Sequence, residues 1–159
     1  SAPMALPWWS MEINGLPLHA LVVHAAVVFG PLAALTGVLY AVVPRWQAVL
    51  RWPLVALAAV ALVTIWVAAL SGEEVAEANT YGGPLAELLD QHEERADWLR
   101  IATTAFAVSA FATAWWHTRR GVVRVVLLVL TALLAVDTLV LVVLTGDAGA
   151  QLAWYGVNG

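Results

Sequence analysis

The stretch GLPLHALVVHAAVVFGPLAALTGVLYAVV, residues 15–43, decides the class of this protein. It contains no Asp, Glu, Lys or Arg, and it exceeds the roughly 20 apolar residues that carry a helix across about 30 Å of hydrocarbon. Near one end it holds two histidines, His19 and His24. Lipid excludes ionisable side chains unless something pairs or ligates them, so the two imidazoles raise the question of what they meet. Five residues apart, they are separated by a rotation of about 140° and a rise of about 7.5 Å on an ideal helix. They share one ion only if His19 sits in a frayed first turn beside Pro17. Otherwise they form two layers, His19 at the membrane surface and His24 about two turns into it.

Working outward, three more continuous apolar runs follow at about residues 53–71, 98–116 and 122–145. They do not alternate, so helices are expected rather than the strands of a barrel. Across 159 residues the chain is 62% hydrophobic and 11% charged, against about 25% charged in soluble domains. The expected fold class is all-α, an integral membrane four-helix bundle. Residues 12–159 are expected to form one four-span domain, and residues 1–11 an N-terminal extension or expression remnant. Pro31 is expected to bend the first span, and Pro44 and Pro53 to bracket the first turn. The absence of cysteine excludes disulfides, thiolate metal sites and iron–sulfur ligation. With no lysine and no basic run, nucleic acid is not an expected partner. No nucleophile constellation, phosphate loop or dinucleotide fingerprint is present, so no enzyme class is assigned.

The charges sort by end. Arg45, Arg51, Arg119, Arg120 and Arg124 lie in the short turns between spans one and two and between three and four, free of carboxylates. Positive charge stays inside, so these turns are expected in the cytoplasm, and both termini outside with the long acidic connection. Trp46, Trp52, Trp115 and Trp116 then form an inner aromatic belt, Trp98 and Trp154 an outer one. In that connection, a Gly82–Pro84 break precedes an amphipathic helix on which Leu85, Leu88, Leu89, His92, Ala96 and Leu99 recur at helical spacing. His92 therefore faces protein; its plainer reading is a buried histidine bonded to a backbone carbonyl.

Asp137 is the other deep ionisable group. Counted from the expected ends of spans one and four, it lies at about the depth of His24, which makes the two natural partners as a hydrogen-bonded support or proton relay. Its plainer reading is a carboxyl bonded within its own helix or to Thr138. Gly146 and Gly149 are expected to release the backbone, with Asp147 at the outer mouth and Glu73 and Glu74 at the same level. Every span thus delivers an imidazole or carboxylate to one end of the bundle. His117, among the arginines, calls for no special explanation.

The motifs GLPLHALVVHAAVVFGPLAAL, VPRW, SGEE, QHEE and TGDAGAQLAW together resemble a family of bacterial four-span membrane proteins catalogued as a domain of unknown function, number two-two-three-one. The resemblance covers residues 12 to about 155. Members are found joined to, or encoded near, Rieske-type or cytochrome c domains, which implies an electron-transfer setting. By position His19, His24 and His92 match the family's histidines, while Asp147 stands where its pattern reads Gly-His-Ser-Gly, so a fourth imidazole is lost and a single centre is implied.

The leading expectation is a metalloprotein of the bacterial cytoplasmic membrane, holding one haem b or one transition-metal ion near the extracytoplasmic face. Haem b would take His24 and His92 as axial ligands, with His19 too superficial. A mononuclear zinc, copper or iron site would take His19, His24 and His92 with Asp147 or Glu73, as an enzyme or a metal-handling protein. The alternative is a structural or proton-exchanging subunit built on His24 and Asp137. The expected partners are the lipid bilayer, a Rieske-type or cytochrome c redox protein, and a second copy in a homo-oligomer.

Overall fold

The computed structural model describes residues 12, 13, 16–77 and 82–158. Four α-helices dominate them: α1 (Leu18–Val42), α2 (Gln47–Glu77), α3 (Pro84–Trp115) and α4 (Val122–Asn158). A 3-10 turn at Pro44–Trp46 joins α1 to α2. Each helix packs against its neighbours in sequence, and α4 closes against α1, giving a four-helix bundle. Ahead of α1, β1 (Glu12–Ile13) pairs antiparallel with β2 (Leu16–Pro17), a small hairpin that the apolar pattern gave no reason to expect.

The helices pack through small residues. Gly30, Ala33, Ala34, Gly37 and Tyr40 are the buried positions of α1. They meet Ala58 and Ala61 of α2, Ala107 and Ala110 of α3, and Ala135 of α4. At Gly37 a Cβ would lie 2.7 Å from the ring of Phe106, so only glycine admits that ring. The large aliphatic side chains instead point outward: Val28, Leu35, Val63, Val108, Leu133 and Val143 are all exposed. Small-inside, large-outside is the inverse of a water-soluble core and the packing of helices in lipid, where close backbone approach drives association.

Three helices are long and apolar enough to cross a membrane: Leu18–Val42, Pro44–Glu73 and Val122–Tyr155, with mean hydropathies of 2.0, 2.5 and 2.8. The third expected span falls short of that measure. Its apolar run begins only after Arg100, and the preceding turns carry the acidic residues of the connection. The amphipathic helix expected as a separate element is the first half of α3, continuous with the apolar half. Pro31 lies inside an unbroken α1, and Pro53 lies within α2 rather than bounding a turn. Gly146 and Gly149 do not end α4, which continues through them to Asn158. The 1–11 extension and the Glu74 side chain lie outside the described residues.

Candidate functional site at the histidine end

The start of α1, the end of α2, the first half of α3 and the last third of α4 meet at one end of the bundle around a cavity of about 870 Å³. His19 and His92 line it from opposite elements, with apolar walls that include Ala26, Ile65, Leu89 and Val142. Each imidazole is seated against a glycine. A Cβ at Gly72 would lie 3.2 Å from His19 Cε1, and one at Gly149 would lie 3.1 Å from His92 Cε1. Gly149, expected to unwind α4, instead makes room for a ring.

Both rings are tethered through Nδ1. Ser71 Oγ, fully buried, donates its single proton to the carbonyl of Ala68 at 3.1 Å. With the proton so placed it accepts from His19 Nδ1, 2.7 Å away. His92 Nδ1 faces the carbonyl of Thr145 at 3.1 Å, and a carbonyl only accepts, so His92 is also protonated on Nδ1. Both rings thus keep the Nε2 lone pair uncommitted. Burial pushes the His92 pKa down, against a smaller opposing pull from the Thr145 carbonyl, which favours the neutral, ligating form. The Thr145 hydroxyl, on the cavity wall, is buried without a partner.

Charged groups rim the site. Glu73 lines the cavity and pairs with Arg100 Nη2 at 3.1 Å, and the same guanidinium bonds Asp97. Arg95 donates to the carbonyl of Leu144 at 3.1 Å and lies 4.0 Å from Asp147. Asp147 also accepts from Gln151 and is exposed, outside the cavity lining. Among the described residues no group of three or more His, Cys, Asp or Glu side chains forms a metal-binding cluster.

The structure exchanges the expected positions of the two α1 histidines. His19 lines the cavity, whereas His24 is exposed on the outer face of α1 and bonds only the carbonyl of Ala20, one turn back in its own helix. Nor does His24 meet Asp137. A Cβ at Gly30 would touch Val142, and one at Gly37 would touch Ala135, which fixes the antiparallel register of α1 and α4. That register sets Asp137 level with Leu35 and His24 level with Ala148, about eleven residues or about 16 Å apart along the axis. The equal-depth expectation assumed that α4 ends near residue 145; it does not.

At the opposite end lies a network that sequence reasoning passed over. Arg124, only 7% exposed, donates to the Thr113 carbonyl at 2.7 Å, to Tyr40 Oη at 2.7 Å and to Gln47 Oε1 at 3.2 Å. Tyr40 passes its own proton to His117 Nδ1 at 2.6 Å, and Arg51 donates to the Ala114 carbonyl at 3.0 Å. Two arginines therefore satisfy carbonyls in the last turn of α3, where positive charge is favoured. Arg45, Arg51 and Arg119 also sit over Trp46, Trp52 and Trp116. The signal available in the sequence was Arg124 itself, three residues into a span.

Neither the curated proteins nor the solved structures contain a significant match to the chain. A protein-family comparison gives one over residues 15–158, to a family described as "Predicted membrane protein (DUF2231)". That span includes all four helices and both histidines of the cavity. With its apolar helices and outward aliphatic side chains, this multi-pass chain belongs to the DUF2231 membrane protein family.

Proposed function

We propose that the protein is a redox or electron-transfer subunit in which His19 and His92 hold one haem b within the cavity at the histidine end. The observation that carries this reading is the pair of imidazoles from different helices. Each is tethered through Nδ1 to an oxygen, which leaves Nε2 uncommitted beside a cavity whose walls are largely apolar. Such an Nδ1 bond is the support that orients a ligating histidine and raises its basicity. Haem b would draw its protein ligands from imidazoles, and His19 and His92 are the two that would hold it. A structural zinc site asks for four protein ligands. The cavity volume lies within the range of about 300 to 1,000 Å³ common for cofactor sites.

Bound haem would supply one-electron chemistry; the chain supplies ligation, orientation and exclusion of water. A second reading is a single transition-metal ion held by His19 and His92; Glu73 lines the same cavity but is paired with Arg100 and forms no three-ligand group with them, so it would join only after rearrangement. His24 and Asp147, outside the cavity lining, enter neither version. The arginine-rich turns favour placing that end in the cytoplasm of a bacterial cell, so the cavity faces the extracytoplasmic side. There a Rieske-type or cytochrome c protein is the fitting redox partner. A cysteine at exposed Gln91 should react with an impermeant thiol reagent from outside and one at Thr118 should not; the reverse pattern inverts the orientation.

The deciding experiment is the spectrum and metal content of protein purified from its native membrane. One haem per chain, with a reduced-minus-oxidised band, supports the lead reading. Stoichiometric metal without that band supports the second. Protein that carries neither, and binds neither when supplied, overturns both.

A further inference from the structure

The outward face of α4 carries Asp137 in the middle of an apolar span, exposed and with no hydrogen bond or ion pair among the described residues. The register places it level with Leu35. The arginines lie towards the two ends of the bundle, and His24 is about 16 Å away along the axis. An ionisable group at that depth, facing hydrocarbon, is costly unless protein covers it.

What flanks Asp137 says what covers it. Val123, Val126, Leu130, Leu133, Asp137, Val140 and Leu144 follow one another at alternating steps of three and four, and every one is exposed. That is the seam of a left-handed helix pair, with one polar residue among large apolar ones, the arrangement that specifies register and oligomeric state in coiled coils. We propose that two copies of this chain pack α4 against α4 along this seam, about a two-fold axis parallel to the membrane normal. Asp137 then meets Asp137 of the partner subunit. A second copy is favoured over another protein because such an axis brings identical residues to identical depth. Neither carboxyl is satisfied without the other: a shared proton gives one a donor and the other an acceptor, where two like charges in lipid would repel. The site is thus completed only by the second copy.

The chain has no cysteine, so single-cysteine variants test the proposal directly in native membranes. Leu133→Cys and Val140→Cys should form disulfide-linked dimers under mild oxidation. Val143→Cys, as exposed as Leu133 at 62% but turned off the seam, should not. Asp137→Leu in the Leu133→Cys background should weaken the dimer by about threefold to thirtyfold in dissociation constant, the span of one interhelical hydrogen bond in lipid. Asp137→Asn, which still donates and accepts, should retain most of it. Equal cross-linking at positions 133 and 143, no cross-linking at either seam position, a cross-link to a different protein, or a dimer indifferent to Asp137→Leu would each overturn the proposal.

Discussion

The two ends of the bundle hold the same kinds of residue and use them in opposite ways. At the arginine end, Arg124, Tyr40, Gln47 and His117 form a closed network. Arg124 donates to Tyr40 Oη, so the tyrosine proton goes to His117 Nδ1 and that lone pair is consumed. At the histidine end, His19 and His92 donate from Nδ1 into Ser71 and Thr145, so each Nε2 lone pair remains. The first network satisfies its own members and ties α3, α4 and the first turn together. The second holds two Lewis bases beside a cavity. Nδ1 is engaged at both ends, as an acceptor in the first and as a donor in the second, and that difference decides where the free lone pair is left.

The contrast is open to breaking, first where the largest effect is expected. Replacing Arg124 with leucine strands the Tyr40 hydroxyl, the Gln47 amide oxygen and the Thr113 carbonyl in a buried place. Unfolding in detergent should show a loss of at least about 3 kcal/mol, since hydrogen bonds to charged groups contribute about 1.5 to 3 kcal/mol each. Arg119→Leu, at an exposed turn, should stay within about 0.5 kcal/mol. If the two variants behave alike, the arginine end is not the closed network described.

A pair of glycine substitutions sharpens the same contrast. Gly37→Ala forces the Phe106 ring to move in a filled core and should cost about 1 to 3 kcal/mol. Gly72→Ala crowds the His19 ring, which borders a cavity and has room to shift, so its cost should fall below about 1 kcal/mol while ligand binding at the site suffers. Equal stability losses would mean that the cavity is as tightly filled as the core.

The smallest effect is the pH dependence. His117, through burial and then the nearby Arg51 and Arg124 charges, and His92, through burial, both have pKa values below the ordinary 6.5. The unfolded chain binds these protons more readily than the folded one, so their contribution is complete above pH 6.5 and is lost as the pH falls below it. The melting temperature should therefore decline on acidification from about pH 7.5 to about pH 5.5. His117→Asn and His92→Asn should each flatten that decline. A melting temperature that rises on acidification would contradict both environments.

Helix number and helical class were legible because continuous apolar length is a strong signal in a membrane chain, whereas the third expected span is not among the three long apolar helices. The convergence of His19, His92 and Glu73 was legible as far as the end of the bundle they share. Which α1 histidine turns inward was not read, because α1 is apolar on every side and hydrophobicity marks no inner face. The face is marked by size instead. Gly37, Ala33, Gly30, Ala26 and Val23 step back at alternating four and three to reach His19, while His24 lines up with Val28 and Leu35 on the lipid side. The partnership of His24 with Asp137 failed on helix length, since α4 runs through two glycines that read as a terminus. The ring tethers by Ser71 and the Thr145 carbonyl left no mark, because a serine and a backbone oxygen look the same in any sequence.

The central claim is that His19 and His92, and not His24, present the ligating nitrogens, and one titration tests it most directly. Membrane-purified protein and its His19→Ala, His92→Ala and His24→Ala variants are titrated with haem b and read by the reduced-minus-oxidised spectrum. The account predicts that His19→Ala and His92→Ala each abolish the six-coordinate band while His24→Ala leaves it unchanged. Loss of the band in His24→Ala with retention in His19→Ala would contradict it.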